Sequence, residues 1–293
     1  MDQPLLGLTA GDYRLVVNPA CGGAIARFDW RGQPLLRQQV GPSVLDAAAF
    51  PLVPFCNRIA HGRFTTPAGA VKLPPNMPGS DHPHPLHGFG WLASWTVTSH
   101  DWSRATIAHH HEAGDWPWTY RAEQHFALTQ DGATFTLSVI NLSDEPMPCG
   151  LGFHPYFPQD SSASYHGLHR CEWTTADDGL PVSLNCAAQP IDWWGNQPVA
   201  ARAVDTCYAD RHGPLTLTWP SRALQLTLEP SANLPCTTVF SPPGEHFFCV
   251  EPVSHPTDAI NRRPEAIRWL ASGETMQVEL AFRASRLCSA DRP

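Results

Sequence analysis

Proline sets the first limit on this chain: thirty of its 293 residues are proline, about twice the ~5% of average usage. Proline locks φ and has no backbone N–H. It therefore breaks helix interiors and central strands, and it is at home in turns and on sheet edges. A helix-dominated fold is excluded. Many short strands joined by loops can carry this much proline, provided the prolines fall between the strands rather than inside them. They concentrate at 74–85, 146–158, 235–243 and 252–264, which predicts irregular loops there.

Between those stretches the hydrophobic residues alternate with period two, the spacing of a half-buried strand. Phe126 and Leu128, then Phe135, Leu137 and Val139, flank Gln130-Asp131-Gly132-Ala133; Asp-Gly between alternating runs predicts a hairpin. Leu215, Leu217 and Trp219 lead into Pro220-Ser221-Arg222, and Leu224, Leu226 and Leu228 return. Further strands are expected at 13–17, 24–29, 95–99, 105–109 and 276–282. Helical signal is confined to one or two turns over 264–270, with proline at the first position and Gly273 beyond the end. No low-complexity linker and no internal repeat divides the chain. The expected architecture is all-β: one domain over 1–293, a large antiparallel sandwich with long loops and few short helices.

Charge narrows the partners. Lys+Arg number 19 against 27 Asp+Glu, a net charge of −8, and no basic run marks a nucleic-acid footprint. The start, MDQPLLGLTAGDYRL, lacks the basic-then-apolar pattern of a signal peptide, and no apolar run is long enough to span a bilayer. Nine cysteines, without a C-x-x-C pair, predict reduced thiols in a cytoplasmic protein rather than a disulfide framework; most are expected to be small core residues.

Four loop segments set polar residues among Pro, Gly and aromatics, a composition that holds side chains rigidly beside a concave surface. In 50–59, Asn57-Arg58 follows an apolar run; the guanidinium fork suits hydroxyls or an anion, with a structural ion pair as the equal alternative. In 81–91, three histidines lie among prolines without zinc-signature spacing, which favours hydrogen bonding over metal. His87 is the best placed, because Gly88 permits close approach of backbone or ligand. The run His109-His110-His111 predicts an ordinary strand or turn with side chains on alternate faces. In 150–158, His154 lies between glycines and Pro-Tyr-Phe, and histidine is the commonest proton-transfer side chain near neutral pH. In 247–256, Glu251 ends an apolar run that reads as a buried strand; partial desolvation there raises a carboxyl pKa toward that of a useful base. No G-x-S-x-G, P-loop, G-x-G-x-x-G or H-E-x-x-H pattern is present, and no cysteine has a local activating context.

Together the segments NRI-x-x-GRF (57–64), HPLHGFGW (84–91), GFHPYFP (152–158), DTCYA (205–209) and VEPVSHPTDAIN (250–261) resemble the aldose 1-epimerase family, the mutarotases. The resemblance implies a galactose mutarotase-like supersandwich with a cleft on one sheet. It implies anomer exchange on a small-molecule sugar, with no cofactor, metal, nucleic acid or membrane, and it leaves a homodimer open. Carried over by motif, His154 is the general acid toward the ring oxygen and Glu251 the general base toward the anomeric hydroxyl. Arg58 and His87 bind the sugar, Asp205 accepts from its hydroxyls, Asn57 binds by adjacency to Arg58, and Trp91 or Phe240 stacks on its apolar face. The HGFGW and FHPYF forms depart from the HGG and NH-x-YF forms of the galactose enzymes, so a neutral, phosphorylated or sulfonated hexose all remain open. The alternatives are a non-catalytic sugar-binding protein on the same fold and a glycoside hydrolase, for which Asp205 would be the second carboxylate.

Overall fold

The computed structural model describes residues 4–195 and 197–287, and its strands form a large antiparallel β-sandwich. One layer runs, in order of pairing, through Tyr13–Asn18, Ala24–Trp30, Ala49–Leu52, Gly152–Pro158, Phe247–Val253 and Cys236–Ser241 into Val204–Trp219. Ser164–Thr175 and Pro181–Asp192 extend it as a long hairpin. The other layer joins Thr96–His100, Arg104–His111, Tyr120–Leu128, Ala133–Asn141, Thr275–Arg286 and Leu224–Pro230. The 16-residue strand Val204–Trp219 belongs to both. Its residues 204–208 pair with Cys236–Ser241, and its residues 215–219 pair with Leu224–Pro230.

Period-two alternation builds the core between the layers. Tyr120–Leu128 and Ala133–Asn141 bury every second residue. Phe126 and Phe135 from this hairpin meet Phe28 and Phe282 there, with Phe28–Phe135 and Phe28–Phe282 ring centroids both 5.5 Å apart. The two expected hairpins form, closing at Leu128↔Ala133 and Trp219↔Leu224, and each expected strand is present within a residue or a few of its bounds. Helix is scarce among the described residues: one α-turn, Ala259–Arg262, and short 3-10 turns.

Three expectations need correction. The segment 264–270 is a single 3-10 turn, Pro264–Ala266, followed by the strand Arg268–Leu270, which pairs with Met147–Cys149; an isolated turn gains less than a ladder partner supplies. The cysteines are not all thiols. Cys171 and Cys186 lie directly opposite on paired strands and are disulfide-bonded, a juxtaposition set by strand register across 15 residues. Cys21, Cys56, Cys149, Cys207, Cys236 and Cys249 are free, and Cys288 lies outside the described residues. Nor do the prolines all fall between strands: Pro51, Pro155 and Pro252 lie within paired strands. The Gly152–Pro158 and Phe247–Val253 strands pair at Gly152↔Val253 and again at Tyr156↔Cys249, in unchanged register, with the ladder open between. Pro252 stands opposite Phe153 there, and Pro155 opposite Val250, so two of the N–H donors a continuous ladder would use are missing.

The aromatic core carries a direct test. Phe28→Ala is expected to lower unfolding free energy by about 3–5 kcal/mol, measured by urea denaturation.

Candidate active site

The open stretch of ladder is where the chemistry collects. With unchanged register on either side of it, His154 faces Glu251, and the row continues to Phe50 on one side and Thr238 and Cys207 on the other. Along each strand alternate residues point away from the sandwich core. Leu52, Cys56, Tyr156, Cys249 and Val253 accordingly join Phe50 in a second apolar cluster under this outer face, while Phe153, Phe157, Val250 and Phe248 point into the main core. His154 Nε2 lies 3.3 Å from Glu251 Oε1. Both are buried, at 6% and 2% exposure. They form the floor of a cleft of about 130 Å³, whose walls include Leu45, Phe50, Met77, Leu86, Tyr156 and Phe240.

Two loops bring the remaining polar groups to this floor. Asn57 and His87 both adopt left-handed backbone (φ 54° and 59°), a strained state for non-glycine residues. Each holds the other there: Asn57 N–H donates to His87 Nδ1 (3.2 Å) and His87 N–H donates to the Asn57 carbonyl (2.9 Å). Since Nδ1 accepts, the neutral His87 ring carries its proton on Nε2 and presents a donor there. Asn57 Oδ1 accepts from Arg58 N (2.9 Å) and Nη1 (3.1 Å), and Arg58 Nη1 meets Asp205 Oδ2 at 3.0 Å. Gly88 is required where it stands: its φ is 74°, and a Cβ would sit 2.1 Å from the Val53 carbonyl oxygen. On the far side, Gly179 at the tip of the Ser164–Asp192 hairpin lies against the Arg58 guanidinium, 2.5 Å from Cζ to where a Cβ would be. Asp178 beside it meets His84 Nε2 at 3.5 Å.

Burial governs the electrostatics. It holds His154 down to about 3, assisted by the charge of Arg37, and it raises Glu251 well above the carboxylate range, assisted by Asp205 and opposed by Arg58. His87 is also held well below its usual value, first by burial and then by His154 and Arg58. The His154–Glu251 pair therefore resists net charge, and a single proton on it rests on the carboxyl in preference to the imidazole. Glu251 Oε2 and Arg58 Nε are buried without a hydrogen-bond partner, polar capacity that a hydroxylated ligand satisfies. His154, Cys249 and Glu251 each offer a ligand atom within 4.8 Å of the others, and among the described residues these three form the set able to hold a metal ion.

The family resemblance implies a common cleft for Asn57, Arg58, His87, His154, Asp205 and Glu251, and all six line this one. Phe240 also reaches it. Trp91 does not: it is fully buried, its ring stacks beneath Phe50 (5.3 Å), and its N–H is spent on the Leu86 and Gly88 carbonyls. It supports the floor instead of stacking on a ligand. Supporting residues went unread. Asn76 clamps the His87 loop, donating to the Leu86 and Gly88 carbonyls and accepting from Leu86 N–H. Asp258 Oδ1 accepts from Ala60 N–H (3.0 Å), and His255 Nε2 accepts from Cys56 N–H (3.2 Å). Arg37 lies over the Tyr156 ring (3.5 Å) and donates to the Ala47 carbonyl, tying the Leu45 turn to the cleft wall. Only Asp258 and His255 carried a signal, their place inside the 250–261 motif. A larger cavity, about 410 Å³ between Gln159–Ser161 and Ser241–His246, contains none of the motif residues.

Comparison with known proteins gives the family and the fold. The family described as Aldose 1-epimerase matches residues 4–283. The uncharacterised Escherichia coli (strain K12) protein YphB is 34% identical over 299 residues, spanning 96% of this chain and 98% of its own. A solved structure of a candidate aldose 1-epimerase from E. coli K12 superposes with a TM-score of 0.89 at 32% identity, covering 97% of this chain and 99% of that one. A galactose mutarotase-like protein of Clostridium acetobutylicum superposes with a TM-score of 0.82 at 18% identity, covering 96% and 94%, which shows likeness of fold.

Gly88→Ala tests the loop geometry against a control. Gly79 is also left-handed (φ 70°) but has open space around it, so Gly79→Ala is expected to cost only the ~1–2 kcal/mol of backbone strain. Gly88→Ala should cost clearly more by urea denaturation, through the clash with Val53.

Proposed function

The chain belongs to the aldose 1-epimerase family, and from that premise we propose that it is a mutarotase, interconverting the α and β anomers of a neutral aldose. One observation carries the reading: a buried imidazole and a buried carboxyl, on neighbouring strands, face one another across 3.3 Å at the floor of a cleft. Anomer exchange needs one proton given and one taken at nearly the same place. His154 delivers a proton to the ring oxygen as Glu251 takes one from the anomeric hydroxyl, and the C1–O5 bond opens to the aldehyde. After rotation about C1–C2 the roles reverse, and the ring recloses on the other face. A protein that only binds sugar has no use for such a pair.

The surroundings suit that chemistry. His87 Nε2–H and the Arg58 guanidinium are donors for oxygens near the reacting centre, and Asp205 is an acceptor for hydroxyls. Phe240, Met77, Leu86 and Leu45 supply apolar wall. Arg58, the only guanidinium or ammonium group among the described lining residues, is neutralised by Asp205. A phosphate or sulfonate would have to compete with that carboxylate, which favours an uncharged sugar over an anionic hexose derivative.

Positioned proton-transfer groups typically contribute ~10²–10⁴-fold each, so Glu251→Gln and His154→Ala should each slow enzymatic anomer exchange by about that factor. NMR exchange spectroscopy on a panel of neutral and anionic aldoses measures it, and wild-type exchange in Glu251→Gln would refute the assignment. Acceleration of phosphorylated or sulfonated hexoses alone would overturn the preference for a neutral sugar.

A pH dependence follows from the same geometry. Glu251 must be ionised to act as the base, and its burial, with Asp205 nearby, raises its pKa. With His154 held down to about 3, the pair keeps the one proton that the acid needs only below the raised Glu251 step, so kcat/KM should fall as pH rises through a limb that lies above the ordinary carboxylate range. Asp205→Asn removes a like charge and frees Arg58, so it should move that limb to lower pH, separately from any rise in KM.

A further inference from the structure

Cys249 has no part in the proton transfers, yet it is the thiol nearest to them. It lies two residues before Glu251 on the same strand, so both side chains leave the same face, and His154 faces them from the next strand. We propose that His154, Cys249 and Glu251 form a binding site for a thiophilic divalent cation such as zinc, and that the bound ion excludes the sugar; the exclusion rests on the mutarotase reading, the site itself does not.

Geometry and ligand chemistry carry the inference. Four-coordinate zinc with bonds of about 2.0–2.3 Å holds its ligand atoms roughly 3.3–3.6 Å apart. His154 Nε2 and Glu251 Oε1 already stand 3.3 Å apart, and all three ligand atoms lie within 4.8 Å of one another. Small side-chain rotations close the rest. One imidazole, one thiolate and one carboxylate select zinc-like ions over magnesium or calcium, which prefer oxygen alone. Glu251 Oε2, buried and unpartnered, is free to turn toward an ion. The cleft lies over the dyad, on the side that a fourth ligand would take. A thiolate and a carboxylate balance the dication, and binding releases the thiol proton, together with any proton on the dyad, to solvent.

The other buried thiols are different. Cys56, Cys207 and Cys236 lie in the same apolar cluster, but none joins a three-ligand set among the described residues. They are accounted for as small apolar fillers. Of that cluster's thiols, Cys249 is the one whose sulfur joins His154 and Glu251 in a three-ligand set among the described residues. An ion there occupies both proton-transfer groups, so metal and sugar compete.

The test starts from chelator-treated, metal-free protein. Titration with Co2+ should produce a thiolate-to-cobalt charge-transfer band in the near ultraviolet, which Zn2+ then displaces. The band should be absent in Cys249→Ala. In parallel, Zn2+ should inhibit anomer exchange competitively with sugar. Loss of an outer-shell partner alone costs ~10–100-fold in metal affinity, so losing a direct ligand should raise the Zn2+ concentration for half-inhibition at least about tenfold in Cys249→Ala, with metal-free exchange retained. Absence of the band in the wild-type protein, or equal Zn2+ sensitivity of both proteins, overturns the proposal. Where Cys249→Ala does not fold, Cys249→Ser takes its place and should lose the band likewise. If metal-free protein does not accelerate exchange but the cobalt band forms, the mutarotase reading fails and the metal site stands.

Discussion

The molecule is organised around a contact between two strands that do not fully pair. Gly152–Pro158 and Phe247–Val253 keep one register from end to end, yet their ladder lapses where Pro155 and Pro252 remove two donors. At that lapse His154 and Glu251 stand face to face. Strands of a sheet are rigid and closely spaced, so the pair is held by the fold, not by the flexibility of loops. Burying an acid and a base together is costly for either charge. That cost sets both groups away from their ordinary titration ranges.

Everything around the pair serves to position donors over it. Asn57 and His87 occupy strained backbone states that each stabilises in the other. Their loops are clamped from behind by Asn76, Asp258 and His255, and Gly88 allows the Val53 carbonyl to approach. Strain of this kind persists only where the surroundings over-determine it, and here those surroundings are hydrogen bonds from two separate segments. The apolar cluster beneath, with Trp91 stacked under Phe50, excludes water from the floor and keeps the local dielectric low. The same cluster carries Cys249 to the dyad, so a residue that packs as a hydrophobe also completes a set of metal-binding atoms.

Some of this was legible in the linear chain and some was not. Period-two alternation showed the strands of the hairpins around Gly132 and Ser221, because burial on one face has the same period as the backbone. Proline correctly excluded helix. It did not mark only the gaps between strands, because a strand tolerates proline wherever its ladder is allowed to open. His154 and Glu251 stood out through their apolar and proline-rich surroundings. Trp91 was misjudged because an aromatic residue in a motif looks the same whether it lines a cleft or lies under it. Leu45 and Met77 gave no signal, since a cleft wall formed by two distant loops leaves no pattern in either.

What the sequence by itself determined is local: strand periodicity, the absence of long helices, the turn chemistry of Asp131-Gly132, and the presence of His154, Glu251 and their polar neighbours in five ordered segments. What only the tertiary structure decided is juxtaposition. The facing of His154 and Glu251, the pairing of Arg58 with Asp205, the Cys171–Cys186 bond and the nearness of Cys249 all depend on strand register and loop docking. Those are set by the summed burial of the whole sandwich, a quantity that no short stretch of residues contains.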